Sequence, residues 1–225
     1  MTALKGQLWH VILLIALLTG LFLFDLNDPS VSLGSLFGVS SQVWFILAVS
    51  SPILHQIYVV VVWRLELHYN TLSKMFGDKG FFFFKIGFTI LILSRPVLIT
   101  LLAFSNSNTI VIDPVIRYLV SGILAFLVCY LFYSVIRYFG MDRAFGMDHF
   151  YPEEAKKLPM VKQGIFRYSS NAMYVFGFLV LWIPGVLLQS RSALLVAMFS
   201  QIYIWIHYYF TEKPDMKLIY GSLKK

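Results

Sequence analysis

Two polar stretches interrupt an otherwise apolar sequence, and they contain the side chains that can do chemistry. The first runs from Arg137 to Tyr174, and the second runs from Thr211 to Lys225. Asp148 and His149 are adjacent in the first stretch. A carboxylate and an imidazole can each accept a proton from a substrate, so this pair is a candidate general base. A solvated pair in a loop turn is the alternative explanation.

Three further side chains of the first stretch are spaced as on one helix face. Arg167, Asn171 and Tyr174 are at positions i, i+4 and i+7. If a helix begins in this stretch, the three side chains share one face at its start. The free backbone N–H groups of a helix start also suit a carboxylate ligand. The alternative is an interfacial anchor, because basic and aromatic residues are common at the ends of membrane helices.

The sequence gives no indication of a metal site. Its Asp, Glu and His residues lack the spacing of metal ligands, and Cys129 is the only cysteine. A single cysteine excludes an internal disulfide and a cysteine-rich metal centre. No Walker or dinucleotide-binding glycine motif is present in the sequence. We therefore predict chemistry that needs no metal ion.

The composition is that of an integral membrane protein. Hydrophobic residues make up 59% of the chain and charged residues 13%, whereas soluble domains carry roughly 25% charged residues. The formal net charge of +7 comes from basic residues in short segments between apolar runs. This distribution favours an anionic membrane surface over nucleic acid as the partner of the basic residues.

Six apolar segments are candidates for membrane-spanning helices, because a span needs about 20 apolar residues. They are Leu8–Phe24, Val43–Val62, Phe81–Phe104, Tyr118–Ile136, Met173–Leu188 and Ala193–Phe210. The fifth segment is short and forms, with the sixth, a predicted helical hairpin around residues 189–192. The predicted fold is an all-α polytopic transmembrane bundle, with residues 1–225 forming a single domain.

The distribution of basic residues predicts the orientation in the membrane. Lysine and arginine follow the second, fourth and sixth segments, whereas the intervening loops contain Asp25, Asp28 and Asp113. All basic segments lie on one side if the chain crosses the membrane six times. Because loops rich in lysine and arginine stay in the cytosol, both termini are predicted to be cytosolic.

Two motifs in the polar stretches resemble those of a known superfamily. Gly164-Ile-Phe-Arg-Tyr-Ser-Ser-Asn-Ala-Met-Tyr174 resembles the Gly-Pro-Tyr-Arg-x-x-Arg-His-Pro-x-Tyr motif of the isoprenylcysteine and phospholipid methyltransferases. Glu212-Lys-Pro-Asp-Met-x-x-x-Tyr-Gly221 resembles the C-terminal Glu-Glu element of that superfamily. Asn171 stands where carboxyl methyltransferases have histidine, so the phosphatidylethanolamine N-methyltransferase branch is the most similar.

Two other segments resemble the same branch. Arg64-Leu-Glu66, followed by Leu72-Ser-Lys-Met-Phe-Gly77, is similar to its Arg-Trp-Glu segment followed by Leu-Ser-Arg-Ala-Phe-Gly. Phe145-Gly-Met-Asp-His-Phe150 is similar to its Phe-Leu-Gly-Asp-Tyr-Phe. The chain departs from the family pattern at several positions, among them Ser170, Ala172 and Lys213, and it lacks a glycine pair expected around Val128-Cys129-Tyr130.

The resemblance implies an S-adenosylmethionine-dependent enzyme that methylates the amine of phosphatidylethanolamine, or of its partly methylated forms, toward phosphatidylcholine. The side chains that it places around the cofactor are Gln163, Gly164, Arg167, Asn171, Met173, Tyr174 and Glu212. Asp148 and His149 would accept the proton of the lipid amine. Arg64 and Glu66 would hold the lipid phosphate or position their loop, and a plain interfacial ion pair is equally compatible with them.

Two alternatives remain open at this point. Carboxyl methylation of a prenylated cysteine is the first, and Asn171 in place of histidine counts against it. A non-catalytic lipid-binding membrane scaffold is the second, and Ala172 and Lys213 are compatible with it. The membrane is that of the endoplasmic reticulum or the bacterial inner membrane, and the sequence does not choose between them.

Overall fold

A computed structural model describes residues 3–221 and consists mainly of helices. The α-helices of this range are α1 (Gln7–Asn27), α2 (Ser41–Tyr69), α3 (Thr71–Phe76), α4 (Gly80–Ser105), α5 (Pro114–Ser134), α6 (Met141–Ala144), α7 (Pro152–Ala155), α8 (Ala172–Phe176), α9 (Trp182–Leu187), α10 (Arg191–His207) and α11 (Lys213–Tyr220). A π-helical turn follows α5 at Val135–Phe139, and another follows α10 at Tyr208–Glu212. Two short strands, β1 (Ser35–Leu36) and β2 (Val39–Ser40), pair antiparallel between α1 and α2.

Within the described range, five helical stretches are long and apolar enough to cross a membrane. They are Gln7–Asn27, Ser41–Tyr69, Thr71–Ser105, Pro114–Phe139 and Arg191–Tyr220. At 1.5 Å per residue, each exceeds the roughly 30 Å thickness of the hydrocarbon core. The predicted all-α polytopic bundle is confirmed, and the protein is an integral membrane protein. That all of residues 1–225 form a single domain stays a prediction.

The fifth predicted span is shorter and less regular than the others. It covers Ala172–Leu187, and a 3₁₀ stretch at Gly177–Leu181 separates α8 from α9. Pro184 has no amide hydrogen to donate to the preceding turn, which disfavours a continuous α-helix. A 3₁₀ helix rises about 2.0 Å per residue, so this stretch makes the segment slightly longer than an α-helix with the same number of residues.

The fifth segment packs against α10 as the predicted hairpin. Gly185 lies directly on Leu194, where a Cβ atom on residue 185 would be 2.8 Å from the leucine Cδ2. The turn between them begins at Gln189, which has a positive φ of 54°. Ser190 caps α10 by accepting a hydrogen bond from the amide of Ala193 at 3.2 Å. A short turn and a capped helix start therefore explain the close antiparallel pair.

The described ends of the chain lie at the same end of the bundle, as six crossings require. Arg64 Nη1, near the end of α2, donates a hydrogen bond to the carbonyl of Ala3 at 3.3 Å, and its Nη2 donates to the carbonyl of Phe210 at 3.3 Å. We call this the basic end, which comprises residues 3–6, 64–79, 137–171 and 208–221. Lys224 and Lys225, part of the predicted basic tail, lie outside the described residues.

A buried polar network joins the loops at the opposite end, which comprises residues 28–40, 105–113 and 188–191. Asn106 Nδ2 donates to the carbonyls of Ser30 and Leu33 at 2.8 and 2.9 Å. Its Oδ1 accepts from Ser190 Oγ and from the amide of Ser192, both at 3.1 Å. One side-chain amide thus holds together the chain after α1, the end of α4 and the start of α10.

Candidate active site

Asp215 is the centre of a buried charged cluster at the basic end. Its Oδ1 is 3.0 Å from Arg64 Nε, and its Oδ2 is 3.3 Å from His149 Nε2. The three side chains are at most 4% exposed. They come from α11, α2 and the turn after α6, so the cluster ties three distant parts of the chain together.

Arg64 also contacts the π-helical turn that follows α10. Its Nη2 donates to the carbonyls of Phe210 and Thr211 at 3.3 and 3.4 Å. Both carbonyls belong to the π-helical turn after α10, where the regular i to i−4 hydrogen-bond ladder is interrupted. The guanidinium therefore holds this turn and the following helix in place, through both its carbonyl contacts and the ion pair with Asp215.

His149 lies between the carboxylate of Asp215 and the indole ring of Trp63. Its ring stacks on Trp63, with centroids 4.0 Å apart and an interplanar angle of 14°. Its Nδ1 is 3.4 Å from the carbonyl oxygen of Gly146. Both ring nitrogens thus face oxygen acceptors, which leaves no ring nitrogen directed at a substrate.

Gly146 is required for this arrangement. It has a φ of +81°, in the left-handed region that glycine adopts without strain. A Cβ atom at this position would be 2.4 Å from Trp63 Cζ2. A larger residue would therefore displace the indole on which His149 stacks.

Asp148 and Glu212 add two carboxylates to the same region. Both Asp148 and Asp215 are close enough to interact electrostatically with Glu212. Glu212 Oε2 and Asp148 Oδ1 are buried and have no hydrogen-bond partner among the described residues. Buried polar atoms are normally satisfied, so these two oxygens suggest a place for a ligand that carries positive charge and hydrogen-bond donors.

The predicted face of Arg167, Asn171 and Tyr174 is not formed. Gly164–Arg167 is a separate 3₁₀ turn, and α8 begins only at Ala172. The amide of Asn171 donates to Ser169 Oγ at 3.1 Å. This local side-chain bond competes with helix formation and separates the two elements. The prediction of one continuous face was wrong, and Arg167 is exposed before the helix starts.

The start of the fifth segment does lie beside the end of the sixth, as predicted. The ring of Tyr174 packs against Trp205 and Tyr208, with centroid distances of 6.0 and 5.7 Å. Gln201 Nε2 donates to the carbonyl of Tyr174 at 2.8 Å. These contacts put Tyr174 next to the helix turn that leads into Glu212.

The other predicted cofactor residues are divided between the interior and the surface. Gly164 has a φ of +58°, and a Cβ atom there would be 2.5 Å from Ser134 Oγ. Met173 packs on the apolar cluster around Leu131 and Ile165. Gln163 is exposed. The structure therefore places Tyr174 against the end of α10 and Met173 toward α5, and it leaves Gln163 and Arg167 at the surface.

Arg64 and Glu66 have their polar atoms engaged inside the protein. Glu66 accepts hydrogen bonds from the amides of Leu72 and Ser73 at 2.8 and 3.3 Å and from Ser73 Oγ. These bonds cap the start of α3. Glu66 is 1% exposed and Arg64 is 3% exposed. This geometry disfavours direct contact with a lipid and gives both residues a positioning role.

Asp215 is the central residue that the sequence did not single out. It is the fourth residue of the Glu212-Lys-Pro-Asp motif, and Pro214 directly before it fits the first turn of a helix. A carboxylate in that first turn was the available signal. Its partners at positions 64 and 149 are too distant in sequence for spacing to reveal them.

Comparison with known proteins agrees with the resemblance. Residues 116–223 match the family model described as phospholipid methyltransferase. This range contains Asp148, His149, Glu212 and Asp215, and it excludes Arg64. No curated protein and no solved structure matches the chain significantly. The match supports phospholipid methyltransferase activity in general, and it agrees with the superfamily that the motifs predicted.

Proposed function

We propose that the protein transfers a methyl group from S-adenosylmethionine to the amine of phosphatidylethanolamine, or of its partly methylated forms, toward phosphatidylcholine. The observation that carries this proposal is that two buried carboxylate oxygens at the basic end, Glu212 Oε2 and Asp148 Oδ1, have no hydrogen-bond partner among the described residues. A site of this charge suits both a cationic cofactor and a lipid ammonium. The endoplasmic reticulum and the bacterial inner membrane both supply such lipids.

The residues present fit the proposed cofactor. S-adenosylmethionine carries an ammonium and a sulfonium, and the unpartnered Oε2 of Glu212 is an acceptor for such a group. Tyr174 packs on Tyr208, which begins the π-helical turn that ends at Glu212, and these rings can face a cation or stack on the adenine. When bound, S-adenosylmethionine would supply an electrophilic methyl group to the lipid amine by in-line displacement, with S-adenosylhomocysteine as the leaving group.

Asp148 is the better placed of the two candidate bases. The lipid ammonium must lose a proton before its lone pair can attack the methyl carbon. Asp148 Oδ1 has no partner among the described residues and can accept that proton. His149 has both ring nitrogens against oxygen atoms, Oδ2 of Asp215 and the carbonyl of Gly146. We assign proton acceptance to Asp148 and a positioning role to His149.

The remaining chemistry of the chain is alignment. The methyl carbon, sulfur and amine nitrogen must lie nearly in line, and small errors in position are costly in rate. Arg64 and Glu66 support this alignment by fixing the start of α11 and of α3. Tyr174 holds the start of the fifth segment against α10.

The test compares Glu212→Gln and Asp148→Asn with the control Glu153→Gln. Glu153 is exposed and lies 2.6 Å from Lys156, which lowers the pKa of the Glu153 carboxyl and keeps it ionised. The control therefore removes one negative charge from the same loop region without touching the cluster. Binding of S-adenosylmethionine is measured by calorimetry, and methyl transfer to lipid is measured with a radiolabelled methyl group.

Glu212→Gln is expected to weaken S-adenosylmethionine binding by roughly tenfold to a hundredfold, because a charge-assisted contact is lost. Asp148→Asn is expected to lower methyl transfer by roughly 10²- to 10⁴-fold, with a smaller effect on cofactor binding. Glu153→Gln should change neither. Unchanged binding in Glu212→Gln would contradict the cofactor site, and faster transfer to a prenylated cysteine than to lipid would overturn the substrate.

A further inference from the structure

An open groove at the basic end is lined by three lysines. It has a volume of about 610 Å³ and lies between the start of α1, the π-helical turn at Tyr208–Glu212 and α11. Its walls include Lys5, Lys213 and Lys217 together with the apolar side chains of Tyr209, Phe210 and Leu218. The volume is within the usual range for a small-ligand site, roughly 300–1,000 Å³.

The lysines converge because the N-terminal segment is fastened to the π-helical turn. Gln7 Nε2 donates to the carbonyl of Phe210 at 3.1 Å and to Thr211 Oγ1 at 3.2 Å. Gly6 has a φ of +86°, and a Cβ atom there would be 2.9 Å from the carbonyl oxygen of Phe210. This close approach brings Lys5 to the wall that α11 provides.

The positive charge of the groove is not neutralised within residues 3–221. Lys213 and Lys217 are four residues apart on α11 and share one face of the helix. Lys213 Nζ lies 5.1 Å from the ring centroid of Tyr209. The ion pairs of the described residues include none with Lys5, Lys213 or Lys217. Three like charges around one groove therefore favour an anionic occupant.

The apolar walls of the groove indicate which kind of molecule carries the anionic group. Tyr209 and Leu218 are about half exposed, at 52% and 46%. The groove lies where a membrane-crossing helix ends, so its lysines are at the level of lipid headgroups and its apolar side chains can contact acyl chains. A free phosphate would use the lysines and leave the apolar walls in water.

We propose that this groove binds the phosphate of an anionic phospholipid. The ammonium of phosphatidylethanolamine would be repelled by the three lysines, so the occupant is a lipid of net negative charge and not the substrate proposed above. Lys213 directly follows Glu212 in sequence. An anionic lipid in the groove therefore holds the helix start that carries Glu212 and Asp215.

The experiment measures lipid binding by the full-length protein in a neutral detergent, with no cofactor and no turnover. Calorimetric titrations use short-chain phosphatidylglycerol, short-chain phosphatidylcholine and inorganic phosphate as separate probes. Lys213→Gln and Lys217→Gln are compared with Lys74→Gln, which removes an exposed lysine from the same end of the bundle outside the groove. Circular dichroism checks that each variant is folded.

Phosphatidylglycerol is expected to bind more tightly than either other probe, and more weakly as salt rises. Each groove substitution should weaken its binding about fivefold, and a triple variant that includes Lys5→Gln about a hundredfold. Lys74→Gln should have no effect. Equal affinity for phosphatidylcholine, equal affinity for inorganic phosphate, or an equal loss in Lys74→Gln would each overturn the proposal. None of these results depends on methyl transfer, so they are independent of the proposed activity.

Discussion

Replacing Asp215 by asparagine removes the carboxylate that contacts both Arg64 and His149. Asparagine has nearly the same shape and keeps one carbonyl oxygen, so the substitution tests charge more than packing. Removing one partner of a buried ion pair typically costs about 3–5 kcal/mol, because the other charge is left without compensation. Arg64 retains its contacts with three main-chain carbonyls. We therefore expect the lower value, about 3 kcal/mol.

The assay is thermal unfolding of the purified protein in detergent, followed by tryptophan fluorescence. Trp63 stacks on His149 and reports directly on the cluster. For a chain of this size, 1 kcal/mol corresponds to a change in Tm of about 2–4 °C, so Asp215→Asn should lower Tm by about 6–12 °C. Methyl transfer should fall as well, because the start of α11 is no longer fixed beside Glu212.

The matched control is Asp142→Asn. Asp142 is 2.8 Å from Lys85 Nζ, but its side chain is 58% exposed. Exposed ion pairs contribute about 0–1 kcal/mol, so this variant should change Tm by at most a few degrees. If Asp215→Asn lowers Tm no more than Asp142→Asn does, the buried cluster does not hold the basic end together, and the reasoning is refuted.

The remaining predictions concern the other contacts of the fold. Gly146→Ala should shift the tryptophan fluorescence spectrum and lower methyl transfer by displacing Trp63, and an unchanged spectrum would contradict the stack as described. Asn106→Ala should lower Tm by several degrees, because each buried hydroxyl or carbonyl that it leaves without a hydrogen bond costs about 1–3 kcal/mol. An unchanged Tm would mean that Asn106 does not hold these loops together. Asn171→Ala should reduce methyl transfer in a folded and inserted protein, and full activity would show that Asn171 is not part of the site. A tag on the C-terminus should be accessible to protease only on the cytosolic side of sealed vesicles, and protection there would require an odd number of crossings.

Features that depend on local sequence could be predicted, and features that depend on distant contacts could not. The long apolar segments predicted the spans, because their length alone satisfies the thickness of a bilayer. The short connection at residues 189–192 predicted that Tyr174 lies near the end of α10. The prediction that Arg167, Asn171 and Tyr174 share one helix face failed because Ser169 Oγ accepts a hydrogen bond from the amide of Asn171. The spacing of residues does not reveal a side-chain hydrogen bond of this kind.

The buried cluster shows the same division. Asp148, His149 and Glu212 were identified from their residue types and motif positions. Asp215 was not, because its importance comes from Arg64 and His149, which only the folded chain brings to it. Arg64 and Glu66 were predicted to hold the lipid phosphate or to position their loop, with an interfacial ion pair as the alternative. Arg64 contacts the carbonyls of the π-helical turn after α10, and Glu66 contacts the amides of α3. These partners are visible only in the folded structure.

The two polar networks at opposite ends of the bundle divide it mechanically. Asn106 fastens the chain after α1, the end of α4 and the start of α10 at one end, and Arg64 fastens α2, the N-terminal segment before α1 and the end of α10 at the other. Helices α1 and α10 are therefore held at both ends. Helix α5 belongs to neither network and packs on α8, α9, the 3₁₀ stretch between them and the turn at Gly164–Arg167. A movement of α5 would therefore leave both networks intact, and it would break apolar contacts together with the hydrogen bond that the amide of Ile165 donates to Ser134 Oγ at 3.1 Å.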